Sequence, residues 1–269
     1  MADLTRVFAM RFPFSVSLLG AVLVIAGCAT HPVTGRSQLM IMPEGQANQM
    51  AYQAYSQMAR EKPTLSSSDP ASQRVQRITQ RIVPQAIRVY PQASGWQWES
   101  RVFRDDSINA FAMAGGKVGI NTGMLNKLQP TDDELAQVIA HEIAHALSGH
   151  TREKMSMAMT QQMGLSVASA LGGLDSQTAA MAQQVATVAI DLPFSRRMEL
   201  EADEVGLLLA ARAGYDPRAS VSLWRKMQAN GGGGGPEWLS THPDSGNRIQ
   251  ALERAIPRVM PEYRRATGR

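Results

Sequence analysis

The chain has 269 residues, 44% hydrophobic and 19% charged, with a formal net charge of +4. That is an ordinary globular composition, long enough to bury one sizeable core or a core with a small appendage. So small a basic excess, with no run of Lys and Arg, argues against nucleic acid as a partner.

Residues 1–27 read as a secretory signal outside the fold. Arg6 and Arg11 form a positive start, and FPFSVSLLGAVLVIAG then runs sixteen residues without a charge up to Cys28. A transmembrane helix is the alternative, but spanning wants about 20 apolar residues and polar sequence begins directly after Cys28. Cys28 is the only cysteine, so an internal disulfide is excluded. Placed after Ile-Ala-Gly, it resembles the lipobox of bacterial lipoproteins. That resemblance implies cleavage before Cys28, acylation and tethering to a membrane. Ala rather than Asp at position 29 implies outer-membrane sorting, in a bacterial envelope and facing the periplasm.

Residues 28–43 form the anchor and an N-terminal segment, in which HPVTGRSQLMIMP predicts a turn and a short strand. Residues 44–269 are expected to form a single domain. Ala47, Met50, Ala51, Ala54, Tyr55 and Met58 fall at helical spacing, predicting a helix from Glu44 to Arg60. After the loop LSSSDPAS, Val75, Ile78, Ile82, Val83, Ala86 and Ile87 predict a second helix, ending by Val89 because Pro91 follows. Trp96 to Phe103 has strand character. Ile108–Met113 and Lys117–Asn121, split by Gly115-Gly116, predict a hairpin. Thr131 followed by Glu134 is a capping box opening the next helix, expected to end near Gly149.

The Met-, Ala- and Gln-rich stretch 155–190 reads as two helical pieces broken at Leu171-Gly172-Gly173, either a packed hairpin or a mobile lid. Its glutamines argue against a membrane span. Further helices are predicted at Arg197–Arg212, 220–229 and Asn247–Ala255, with a glycine linker at 231–235. The pattern is α+β, mainly helical with a small antiparallel sheet.

Three of the five histidines lie in VIAHEIAHALSGHTRE, residues 138–153. His141 and His145 are four apart, so on a helix they share a face and can share a metal. Glu142 is one step round, where its carboxylate can reach water activated by that metal. Solvated histidines on a polar face are the bland alternative, but Val138, Ile139, Ile143, Ala144 and Leu147 make this helix largely buried, and buried polar groups need partners. His150 lies five residues past His145, about 140° round a continuing helix, and is assigned a helix-end or surface role instead. In SRRMELEADEVG, Glu199 and Asp203 share a helix face that Ala202 keeps slim. Glu199 would complete a His₂Glu zinc site, and Asp203 would hold His141 or His145 by its second nitrogen. Arg196 would neutralise Asp203 or a nearby carboxylate. A solvated acidic helix paired with Arg196 and Arg197 is the alternative.

HPVTGRSQLM, INAFAMAGGKVGINTGML, HEIAH, SRRMELEAD and STHPDSGNR together resemble the HtpX- and Oma-type zinc metalloproteases, related to the CAAX prenyl proteases. The resemblance covers nearly all of the chain after Cys28 and is closest to the LoiP- and BepA-like periplasmic lipoprotein branch. It implies a zincin-like metalloprotease domain, one Zn²⁺ per chain on His141, His145 and Glu199, and Glu142 as the catalytic base. One departure is Ala114, where the family commonly has Pro. The resemblance also places Asn109, Ala110 and Phe111 on a strand lining the cleft, where an extended substrate could add; ordinary sheet core is the alternative. His242 would sit near the zinc as a reversible plug or an oxyanion donor, or else be structural. The implied substrates are unfolded or misassembled envelope proteins. A competing reading is a chaperone-like assembly factor acting mainly by binding.

Overall fold

The computed structural model describes residues 28–31, 33–170, 193–230, 237–243 and 246–269. The leader, the Gly172-Gly173 break and the glycine linker lie outside the described residues. Strands are β1 (Cys28–Thr30), β2 (Ser37–Leu39), β3 (Glu99–Phe103), β4 (Ala110–Met113) and β5 (Lys117–Asn121). Helices are α1 (Glu44–Glu61), α2 (Pro70–Val89), α3 (Thr122–Leu128), α4 (Asp132–Leu147), α5 (His150–Ala170), α6 (Arg196–Arg212), α7 (Ala219–Ala229), α8 (Glu237–Thr241) and α9 (Arg248–Thr267). The fold is mainly helical α+β, as the periodicity predicts.

Two small sheets form. β1 and β2 pair antiparallel, Cys28 opposite Leu39. β4 and β5 form the predicted hairpin, Ala110 opposite Ile120, turning through Gly115 and Gly116 at φ of +76° and +86°. β3 then adds to the far side of β5 in parallel, so this second sheet is mixed, in the order β3-β5-β4. β4 therefore lies at an edge.

Helix α4 is the axis of the core. The capping box closes as expected, Thr131 Oγ1 accepting from Glu134 N while Glu134 reaches back to Thr131 N. Every residue from Glu134 to Leu147 is buried, because α2, α6, α7 and the β4–β5 hairpin cover it from different sides. A helix enclosed all round cannot leave its histidines solvated, so they must meet partners inside the protein.

α9 runs well past Ala255, through Pro257 and Pro261. Both prolines are exposed, so the carbonyls they leave unpaired face water. Leu252, Ala255 and Val259 meanwhile keep the apolar face packed.

The crossing of α4 and α6 depends on small residues. Ala202 is fully buried there. At Gly206 a Cβ would stand 2.9 Å from both Cα and N of His141. Those are backbone atoms and cannot yield. Gly206→Ala is expected to lower the unfolding free energy by about 1–3 kcal/mol in urea titration. Gly45→Ala, where a Cβ meets nothing within 4 Å, should stay within about 0.5 kcal/mol of the parent.

Candidate metal centre

Four residues from three segments converge where α4 crosses α6. His141 and His145 project from α4, Glu199 from the first turn of α6, and His242 from just after α8. All four are buried, and one ligand atom from each lies within 4.8 Å of the others. His145 Nε2 is 3.0 Å from His141 Nε2. His242 Nδ1 is 3.3 Å from His141 Nε2 and 3.0 Å from Glu199 Oε1. Glu199 Oε1 is 3.3 Å from His145 Nε2, and its Oε2 is 3.6 Å from His141 Nε2.

These separations fit a metal. Tetrahedral zinc with ligands at about 2.0–2.1 Å has its ligand atoms about 3.3 Å apart. Imidazole nitrogens with a carboxylate oxygen are also the donor types zinc selects. Without a shared cation, ring nitrogens facing one another this closely would need a proton at each contact.

The electrostatics favour positive charge at this point. Burial alone would push the Glu199 carboxyl up, but His242 and the Arg248 guanidinium beside it hold it well below the usual carboxylate range. Burial and Arg248 press His141 down, yet its hydrogen bonds with Asp203 and Glu199 outweigh them and hold it at about 9. Burial keeps His145 neutral, its pKa well below the ordinary value despite Glu199, so its lone pair is free to donate.

Asp203, one turn beyond Glu199, places Oδ1 3.0 Å from His141 Nδ1, the ring nitrogen away from the cluster. This is the orienting contact that ligating histidines usually have. Arg196 does not neutralise this carboxylate. It is exposed on the first turn of α6, and Arg248 takes the expected role. Arg248 donates through Nε to Asp203 Oδ2 at 2.6 Å, through Nη2 to Oδ1 at 2.7 Å, and through Nη1 to Glu199. It is itself 1% exposed and lies over the Trp224 ring at 4.1 Å. The residue closes STHPDSGNR, but no local period links it to α6.

Glu142 lies beside the cluster. Its Oε1 accepts from Trp238 Nε1 at 2.7 Å and is 3.4 Å from His242 Nε2. Trp238 and His242 stack, centroids 4.6 Å apart. The His242 ring thus bridges Glu142 and the ligand cluster, touching one with each nitrogen.

Asn109 precedes β4, while Ala110 and Phe111 lie on it. All three are buried, and Phe111 packs against Tyr55 and Phe103. Trp238 N donates to Ile108 O at 3.1 Å, joining this edge to the segment that carries His242.

His150 is not at the surface. Gly149, at φ +65°, ends the run of α4, so His150 opens α5 instead of continuing round the first helix. It is fully buried, with Nδ1 2.9 Å from His145 Nδ1. Cys28 begins β1.

A family model described as peptidase family M48 matches residues 69–256. The chain is 33% identical over 262 residues to human mitochondrial metalloendopeptidase OMA1, covering 91% of this chain and 49% of that protein. It is 28% identical over 247 residues to the Escherichia coli beta-barrel assembly-enhancing protease, covering 86% of this chain and 48% of the relative. With the Escherichia coli metalloprotease LoiP it shares 29% identity over 153 residues, 56% of this chain and 60% of that one. The chain thus spans about half the length of the first two.

Arg248→Met leaves the buried Glu199 and the partly buried Asp203 without their cation. It is expected to cost about 3–5 kcal/mol in the metal-free protein. Added zinc should raise the melting temperature of the variant more than that of the parent. Equal stability of the two metal-free proteins in urea would show that Arg248 does not balance this charge.

Proposed function

The chain belongs to peptidase family M48, and on that premise we propose that it is a zinc-dependent metalloendopeptidase. His141, His145 and Glu199 would hold one Zn²⁺, and Glu142 would be the base. The observation that carries this reading is the convergence of four buried donors at 3.0–3.6 Å with a carboxylate directly alongside.

Zinc in this place supplies a Lewis acid that polarises a scissile carbonyl and brings the pKa of water to about 7. The chain's own residues do the rest. His242 leaves the space between Glu142 and the ligand cluster, so that water and substrate can enter. Glu142 then takes the proton from water as its oxygen attacks the peptide carbonyl. The same carboxyl returns that proton to the leaving amine as the C–N bond breaks. Trp238 Nε1 restrains Glu142 Oε1 in the resting arrangement. Asp203, itself balanced by Arg248, keeps the His141 ring turned toward the metal.

His242 is accordingly read as a reversible plug. Its two nitrogens touch both the ligand cluster and the base, where a substrate group would have to sit. Because Trp238 N also bonds Ile108 O, leaving would free the approach to β4. An extended substrate segment can pair at that edge.

The substrates we infer are unfolded or misassembled proteins of a bacterial envelope, met by an enzyme tethered through Cys28 to the outer membrane. The leader and the Ile-Ala-Gly-Cys setting support this address, although the OMA1 relatives are named as mitochondrial. The plugged arrangement favours a second reading, in which the protein acts mainly by binding such chains and cleaves few of them. Rescue of a deletion strain by the Glu142→Gln variant would favour binding.

Glu142→Gln is expected to retain zinc and lose casein hydrolysis by about 10²–10⁴-fold; undiminished hydrolysis would overturn the assignment. His242→Ala is expected to raise hydrolysis above the parent rate. An unchanged or lower rate in the same assay would refute the plug.

A further inference from the structure

Behind His145, away from the plug, lies a second buried cluster. One ring nitrogen of His31, one of His150 and an oxygen of Glu201 fall within 4.8 Å of one another. The grouping suggests another metal site, but the protons rule it out. His31 Nδ1 accepts the backbone N–H groups of Val33 at 3.2 Å and Thr34 at 3.0 Å. Its lone pair is therefore used, and the neutral ring carries its proton on Nε2.

The same reasoning runs through His145. If Nε2 is the metal-binding nitrogen, Nδ1 carries the proton. That Nδ1 faces His150 Nδ1 at 2.9 Å, so His150 Nδ1 must be the acceptor. His150 then carries its own proton on Nε2, which donates to Glu201 Oε2 at 3.1 Å. With Nδ1 accepting and Nε2 donating, the two contacts together admit a single tautomer of His150. Neither His31 nor His150 has a lone pair left for a second cation.

Glu201 in turn is held by the N-terminal segment. Arg36 Nε donates to both of its oxygens, at 2.8 and 3.0 Å, and Thr34 Oγ1 donates to Oε1 at 3.1 Å. The other end of the Arg36 guanidinium forks onto Glu153 at 2.7 Å for each bond. Gln38 Nε2 donates to Glu153 and to Ser148 O, at the end of α4. A continuous path thus runs from the stretch after Cys28, through Glu201 and His150, to His145.

We propose that His150 is a positioning residue for His145, and that residues 33–38 form a strap whose grip on Glu201 sets the metal affinity of the centre. This rests on the reading of His145 as a ligand. Glu201 fixes the tautomer of His150, His150 supplies the acceptor that the described residues offer to His145 Nδ1–H, and that bond aims Nε2 at the metal. The strap acts by keeping Glu201 aligned, since a fork of this kind fixes direction as well as charge.

The test measures zinc affinity of the full chain by competition with a chelator, with far-UV circular dichroism of each metal-free variant. The parent should bind one zinc per chain. His150→Ala should weaken binding about 10–100-fold. His150→Asn keeps an acceptor, Oδ1, where Nδ1 stood, and should recover most of the loss. Arg36→Ala should weaken binding in the same direction, and Arg36→Lys, which keeps the charge but loses the fork, should fall between. In ¹⁵N-histidine spectra of the zinc-loaded parent, His150 should be protonated on Nε2 alone. His150→Ala binding within about twofold of the parent, Asn no better than Ala, or a proton on His150 Nδ1 would each overturn the proposal. Two zinc ions per chain would restore the second metal site in its place. A parent that binds no zinc would overturn this inference and the proposed function together, whereas zinc-binding variants indistinguishable from the parent would sink the strap alone.

Discussion

The structure turns on holding two carboxylates, the buried Glu199 and the partly buried Asp203, beside three histidines at the crossing of two helices. Such charges are tolerated in an interior only when they are balanced and fully hydrogen-bonded. Arg248 supplies one full positive charge and reaches both carboxylates. A second cation is still favoured, as the raised pKa of His141 shows. A bound metal meets that demand without protons on the nitrogens that must ligate it. The surrounding aromatic side chains, Trp224, Trp238 and Phe194, exclude water and strengthen every one of these interactions.

Position then follows from packing. Ala202 and Gly206 let α6 approach α4 closely enough for Glu199 to meet His141 and His145. α4 is enclosed on all sides, so its histidines cannot turn to solvent. In the proposed centre each of the two α4 rings is met from behind by a different partner: His141 by Asp203 and His145 by His150. The two orienting systems are built from distant parts of the chain. Arg248, near the C-terminal end, balances the first, and Arg36, close after Cys28, holds the second. The centre therefore reports on the integrity of both ends of the described fold.

Much of this was legible in the residues, for a physical reason. Helical spacing is local, so His141 with His145, and Glu199 with Asp203, could be paired by counting. The Thr131 cap and the Gly115-Gly116 turn are local in the same way. What counting could not reach was tertiary. Arg248 meets α6 from another helix, and Arg196, the nearer arginine in sequence, points outward. His150 escaped because the 100°-per-residue extrapolation stops at Gly149, whose left-handed backbone turns the chain back toward His145. The parallel pairing of β3 with β5 is a contact between strands not adjacent in sequence, which alternation does not encode. The length of α9 was hidden by prolines that only an exposed face accepts. His242 was reachable through its STHPDSGNR setting, yet its bridge between Glu142 and the donor cluster is a tertiary contact that no local spacing encodes.

X-ray absorption at the zinc edge of the zinc-loaded protein reads the donor set itself. The atoms bound to zinc should be nitrogen and oxygen only, at about 2.0–2.1 Å, with the more distant scattering of at least two imidazoles and no sulfur. A six-coordinate, oxygen-only shell, or a protein that takes up no zinc, would contradict the proposed centre.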